Sequence, residues 1–180
     1  MSIHLEQNLI QLCIEGNTAA QMQLYCKYAK TMFNTSLRIV KNKELAEDIM
    51  QDGFIVAFQK LKNFRAEASF KTWLSRIIIN KSIDYIKKNK KVQFLDFELQ
   101  DEIEELDSDN EEVYTVETVL EQLHFLPEKF RLVIELYYLD EFSHEEIANE
   151  LQISYENSRI LLHRAKMKLK QMLMNQIENV

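Results

Sequence analysis

From Leu5 to Lys91 the apolar residues return every three or four positions, in runs interrupted at "EGNT", "KNKE" and "NFRAEAS". That spacing is helical, so the stretch predicts an N-terminal bundle of about three or four helices. Within "ELAEDIMQDGFIVAFQKL" the residues Ala46, Met50, Phe54, Ala57 and Leu61 share one helical face, which should be buried. Asp48, Gln51, Asp52, Ile55 and Gln59 share another, and taken alone that stripe reads as a solvated face. The pattern stops at "DFELQDEIEELDSDNEEVYT", Asp96 to Thr115, which is acid-rich and poor in apolar residues and predicts a flexible linker. Helical spacing resumes at about Val116, with Pro127 of "LPEKF" at a first helical turn. The expected architecture is all-α: a domain over residues 1–91, an acidic linker over 92–117 and a second domain over 118–180.

The second domain contains a tight corner, "FSHEEIANELQISYENSRILLHRAKMKLK". Ser143 followed three residues later by Glu146 is a capping box and fixes a helix start. On that helix Ile147 and Leu151 lie on one face, and Ala148 is small enough to let another helix come close. "QIS" is the turn, and the Ser154 hydroxyl can cap the next helix. There Ser158, Leu162, Ala165 and Leu169 make the inward stripe, leaving Glu156, Asn157, Ile160, His163 and Arg164 outward. This is the plan of a helix-turn-helix, whose second helix enters a major groove with its N-terminal residues, here beginning at Tyr155, at the bases. An ordinary helical hairpin has the same spacing. The run Arg159, Arg164, Lys166, Lys168, Lys170, which contains no acid, tilts the reading toward phosphate.

Charge sharpens this picture once it is divided along the chain. The formal net charge is −7, yet residues 1–91 hold fifteen Lys and Arg against eight Asp and Glu. Residues 92–122 hold twelve acids and no base, so the acidity of the whole chain comes from one segment. Between Lys60 and Lys91 ten basic residues, Lys71 among them, meet two acids and are interleaved with Phe64, Phe70, Trp73 and Tyr85. Cations mixed with rings suit single-stranded nucleic acid, although Trp73, grouped with Phe70, Leu74 and Ile77, reads more naturally as core. Thr72, Arg76, Asn80 and Lys87 form a polar stripe that core packing does not explain.

Other chemistry is excluded or unsupported. Two glycines leave no material for a phosphate-binding loop or a dinucleotide turn. Cys13 and Cys26, with no partner cysteines or histidines nearby, are expected to be reduced core residues, and the scattered histidines form no zinc pattern. No metal or cofactor is implied. With no long apolar run and no basic start before the N-terminal helix, the chain is expected in the cytoplasm, without membrane insertion.

Two groups of motifs carry a resemblance. "LPEKFRLVIELYYLDEFSHEEIANELQIS" with "NSRILLHRAKMKL" resembles the fourth conserved region of bacterial sigma factors of the extracytoplasmic function (ECF) group. "AEDIMQDGFIVAFQKLKNF" and "SFKTWLSRIIINKSIDYIKK" resemble the second region, in the same order and spacing, leaving chiefly the first 40 residues and the acidic segment unmatched. The family often has Gly where Gln152 stands and a polar or basic pair where Ile160 and Leu161 stand. The resemblance implies a non-enzymatic specificity subunit that joins core RNA polymerase, recognises promoter DNA and opens it, and that an anti-sigma factor restrains. It implies that the Asp48, Gln51, Asp52, Ile55 face docks on the polymerase. It further implies that the loop "NFRAEAS", with Phe64, Arg65 and Ser69, and the Thr72–Lys87 stripe hold the melted promoter element. The acidic segment would thread the polymerase cleft. A different class, an all-helical adaptor or inhibitor whose acidic segment imitates nucleic acid, shares the charge pattern.

Overall fold

Helix boundaries follow caps written in the sequence. Asn17 and Asn42 each accept a hydrogen bond from the backbone N–H three residues on, at 3.0 and 2.9 Å, and so open the second and third helices. The structure, a computed structural model, describes the backbone of residues 3–90 and 114–177 and the side chains of 5–89 and 114–175. Its helices are α1 Ile3–Ile14, α2 Thr18–Val40, α3 Lys43–Lys60, α4 Phe70–Lys90, α5 Val116–Phe125, α6 Glu128–Ile134, α7 His144–Leu151 and α8 Tyr155–Ile177. A 3-10 turn covers Leu61–Asn63, and a π-helical segment, Glu135–Leu139, continues α6. The described residues contain no strand, so the fold is all-α as expected.

The chain divides into two compact units between Lys91 and Val92. In the first, α2, α3 and α4 pack on one another, and α1 lies against α2 and the 3-10 turn. The stripe Ala46, Met50, Phe54, Ala57, Leu61 is buried throughout, together with Leu24, Met32, Leu74, Ile78 and Ile83. Gly53 lets α3 approach α4: a Cβ there would stand 2.1 Å from Ile78 Cδ1. The buried hydroxyls of Ser36 and Ser82 satisfy each other at 3.1 Å across α2 and α4. Glu6 joins α1 to α2, accepting from Lys27 Nζ at 2.6 Å and from the Tyr28 hydroxyl.

In the second unit α6 and α7 pack on α8, with Val133, Leu136, Ile147, Leu151, Leu162 and Ala165 at the centre. Thr115 caps α5 by accepting from the Thr118 N–H at 3.2 Å, in keeping with helical spacing that resumes near Val116. Residues 92–113 of the acidic segment lie outside the described residues.

Two expectations are corrected. Cys13 is buried, but Cys26 is exposed, because Leu24 and Tyr28 on either side of it take the inward positions of α2. Pro127 stands one residue before α6 as its N-cap, with ψ 140° in the extended region, rather than inside the first turn.

Candidate nucleic-acid interface

The corner between α7 and α8 is built by local hydrogen bonds. Ser143 Oγ accepts from the Glu146 N–H at 3.2 Å while Glu146 Oε2 accepts from the Ser143 N–H at 2.9 Å, which completes the capping box. α7 ends at Gln152 in the left-handed conformation, φ 58° and ψ 43°, and the Ile153 N–H returns to Ala148 O at 3.0 Å. Ser154 Oγ accepts from the Asn157 N–H at 3.0 Å and opens α8. Ile147, Ala148 and Leu151 of α7 and Leu161, Leu162 and Ala165 of α8 are all buried where the two helices pack. The geometry is that of a helix-turn-helix.

On α8 Tyr155, Glu156, Arg159, His163, Lys166 and Lys168 are among the exposed residues, with Asn157, Ile160 and Arg164 half-buried beside them; Ser154 is exposed in the turn. Leu161, grouped with Ile160 by sequence comparison, is 2% exposed and belongs to the core. One residue is a rotation of about 100° on a helix, so the two apolar neighbours point to different surroundings. Ser158 is fully buried, and its Oγ lies 3.0 Å from His144 Nδ1. Burial pushes the His144 ring below the ordinary histidine range, the nearby Arg159 charge adds to that, and Glu145 opposes it.

In the first unit, residues Asn63 to Ala68 wall a cavity of about 400 Å³ that Trp73 and Arg76 complete. Ala66 within the loop has φ 55°, a conformation that costs an alanine about 1 kcal/mol or more, so the surrounding packing holds the loop in shape. That packing is aromatic: Phe64 meets Trp73 at 5.2 Å with the rings tilted by 47°, and Phe70 edge-on at 6.0 Å, and Phe70 contacts Tyr28 at 5.5 Å. Trp73 is half-buried and serves both as packing and as cavity wall. Ser69 caps α4, its Oγ accepting from the Thr72 N–H at 3.1 Å. Arg65 also lines the cavity, with an exposed side chain, and Lys71 is exposed on the first turn of α4. The polar stripe divides: Arg76 lines the cavity, whereas Thr72, Asn80 and Lys87 are half-buried and outside its lining. Asn80 Oδ1 is buried without a protein hydrogen-bond partner, at a cost of about 1–3 kcal/mol.

On α3, Asp48, Gln51, Asp52 and Ile55 are all exposed, Ile55 by 56%, and Asp52 Oδ2 lies 3.4 Å from Lys81 Nζ. The sequence reading missed two features. One is His144, whose contact with Ser158 joins residues fourteen apart and has no linear signature. The other is an apolar groove of about 530 Å³ lined by Val116, Leu120, Tyr138, Leu139, Leu169 and Leu173, with Lys166 and Lys170 among its walls. Its signal was present in the exposed apolar residues of α5, which the inward stripe of α8 does not use up.

Comparison with known proteins agrees with this geometry. The Sigma-70 region 2 family matches residues 24–92, and Sigma-70, region 4 matches residues 116–169. The RNA polymerase sigma factor YlaC of Bacillus subtilis (strain 168) is 32% identical over 82% of this chain and 88% of its own. The ECF RNA polymerase sigma factor SigW of the same organism is 30% identical over 88% of this chain and 91% of its own. The chain belongs to the ECF sigma factors of the sigma-70 family. As a sigma factor it directs RNA polymerase to promoters, and the adaptor reading is set aside. The fold agrees as well. CnrH, solved in complex with the cytosolic domain of CnrY, has a TM-score of 0.54 at 22% identity, covering 94% of this chain and 97% of that one. The sigma factor RpoE of Bartonella quintana, solved with the anti-sigma factor NepR, has a TM-score of 0.52 at 22% identity, covering 86% and 96%. Among the described residues no helix is long and apolar enough to cross a membrane, and no three side chains form a metal cluster.

Proposed function

We propose a division of the sigma-factor task between the two units of this chain. The N-terminal unit, residues 1–91, docks on core polymerase through Asp48, Gln51, Asp52 and Ile55 and takes an unpaired promoter base into the cavity beneath the Asn63–Ser69 loop. Arg76 and the rings of Phe64 and Trp73 meet the base there, and Arg65, Lys71 and Lys87 hold the backbone. The C-terminal unit reads the upstream element as duplex through α8. Asn157 and Arg159 address base edges, with Tyr155, Glu156, Ile160 and His163 beside them, while Arg164 and Lys168 hold phosphate. The protein works by binding and not by covalent catalysis, in the cytoplasm where the polymerase is. An anti-sigma factor of the kind seen with the RpoE relative restrains it, and the apolar groove between α5 and α8 offers such a partner its contact surface.

The observation that carries this reading is the aromatic-walled cavity with two guanidinium groups, Arg65 and Arg76, in its lining, set in a loop whose backbone is strained. A flipped base needs a ring to stack on and a polar group for its edge, to offset a few kcal/mol of lost stacking and pairing. Run-off transcription with core polymerase and this protein tests the assignment. Arg76→Ala should retain core binding, lose open complex on a duplex promoter, and recover in part on a template already mismatched over the melted element. Equal permanganate reactivity of unpaired thymines in Arg76→Ala and wild type would mean that the cavity takes no base.

A further inference from the structure

We propose that His144 is a positioning residue for the recognition helix, and that its charge state sets how α8 is presented to duplex DNA. The inference rests on the reading of α8 as the duplex-reading helix. His144 is the first residue of α7, and its ring touches each element around the corner. Tyr137 of the π-helical segment stacks on it at 5.0 Å with 33° between the planes, and Tyr155, the first residue of α8, meets it nearly edge-on at 5.9 Å. Nδ1 lies 3.0 Å from Ser158 Oγ, whose hydroxyl has no other side-chain partner among the described residues. Ser158 is fully buried between Asn157 and Arg159, the two residues assigned to base edges. A displacement of one ring would therefore move Tyr155 and Ser158 together, and with them the reading edge of α8.

The ring fits this corner as a neutral group. Neutral, Nδ1 can accept the Ser158 proton. Protonated, Nδ1 must donate, and the buried hydroxyl loses its acceptor. The charged and titratable groups that face the ring are Glu145 on α7, Arg159 on α8 and the phenols of Tyr137 and Tyr155. The cation would stand beside Arg159 and at the N-terminal end of α7, where unpaired N–H dipoles are positive. Glu145 alone opposes this. A proton on His144 thus loosens the α7–α8 corner and pushes the Arg159 guanidinium from its place at the groove. Linkage then requires the reverse: DNA held by α8 disfavours the proton.

The test uses the full chain in holoenzyme and, as probe, a duplex that the holoenzyme itself selects from a random library. Binding is measured from about pH 7.5 to about pH 5.5, the range in which histidine titrates. It is measured for wild type and for His144→Gln, which is neutral throughout and still able to accept a hydrogen bond. The ratio of wild-type to variant affinity should fall about twofold or more across that range, most steeply at its acid end, because the ring titrates below the ordinary histidine value. Parallel profiles from two proteins that both bind would overturn the inference. A random library from which the holoenzyme selects no duplex would overturn the reading of α8 as well. If His144→Gln fails to fold, the His144 ring is followed by NMR in wild type and Ser158→Ala, with and without the duplex. Loss of the Ser158 hydroxyl should raise the ring's pKa toward the ordinary histidine value, and DNA should lower it in wild type. A ring whose titration neither change moves is not coupled to α8.

Discussion

At the scale of single residues, the backbone at Gln152 and the ring of His144 make opposite demands on the corner they share. Gln152 occupies left-handed φ 58°, where a side chain is strained and glycine is not. We predict that Gln152→Gly raises the stability of the C-terminal unit by about 0.5–1 kcal/mol, less than the full left-handed penalty because glycine also loosens the unfolded chain. A thermal melt that shifts downward would contradict this. His144 gives a pH dependence whose sign is fixed by its depressed pKa. The unfolded chain takes up the proton first, near the usual value of about 6.5, so this contribution is fully present above that value and is lost as the pH falls through and below it. Melts of wild type and His144→Gln should therefore diverge on acidification, with wild type losing more. Asn80 separates stability from function in another way. Its Oδ1 is buried and unpaired, so Asn80→Ala should leave the melting temperature unchanged or raised while reducing promoter opening. A stable variant that opens promoters as wild type does would make Asn80 a plain helix residue.

At the scale of helices, the sequence showed what local chemistry determines and concealed what distant packing determines. The Ser143 box, the Ser154 cap and the buried stripe of α3 were legible because each depends on residues within a few positions of one another. The different surroundings of Leu161 and Ile160, the exposure of Cys26 and the pairing of His144 with Ser158 were not, because each depends on which neighbouring helix lies alongside. The cavity was legible in part. Its loop was indicated by the family resemblance and Arg76 by the polar stripe of α4, but its wall depends on the contact of Phe64 with Trp73 and on the left-handed Ala66. Gly53 illustrates a long-range demand written as one small residue. A Cβ there meets Ile78 Cδ1 at 2.1 Å and Cγ1 at 3.3 Å, and Ile78 is itself fully buried. Overpacking costs about 1–3 kcal/mol and the gain in helix propensity returns roughly 1, so we predict that Gly53→Ala destabilises the N-terminal unit by about 1 kcal/mol. Urea unfolding with an unchanged slope would measure it, and a stabilised variant would show that Ile78 moves aside freely.

For the molecule as a whole, the net charge of −7 conceals regions of opposite sign. The basic residues of the N-terminal unit suit a nucleic-acid strand, while the exposed face of α3 presents Asp48, Asp52, Gln51 and Ile55 together. An acidic face with one exposed isoleucine at its edge suits a basic protein surface with an apolar contact, and it sits in a unit that is otherwise cationic. Reversing its charge should therefore separate polymerase binding from DNA binding. Asp52 also pairs with Lys81 at 3.4 Å, but the carboxylate is 67% exposed, and solvent-exposed pairs contribute no more than about 1 kcal/mol. The double variant Asp48→Arg, Asp52→Arg should accordingly keep its helical circular dichroism and melt within a few degrees of wild type. Against a basic partner, two reversed charges place like signs face to face, which costs more than simple removal. We predict at least a tenfold loss in affinity for core polymerase, measured by pull-down and by competition with wild type. Wild-type binding should weaken with added salt, as screening of exposed charges requires, while the residual binding of the variant should not. Asp48→Arg alone should show much of the loss, since Asp48 has no ion-pair partner among the described residues and its reversal leaves the Asp52–Lys81 pair in place. A folded double variant that binds core polymerase as wild type does would remove this face from the polymerase interface and leave α3 with only its buried stripe to explain.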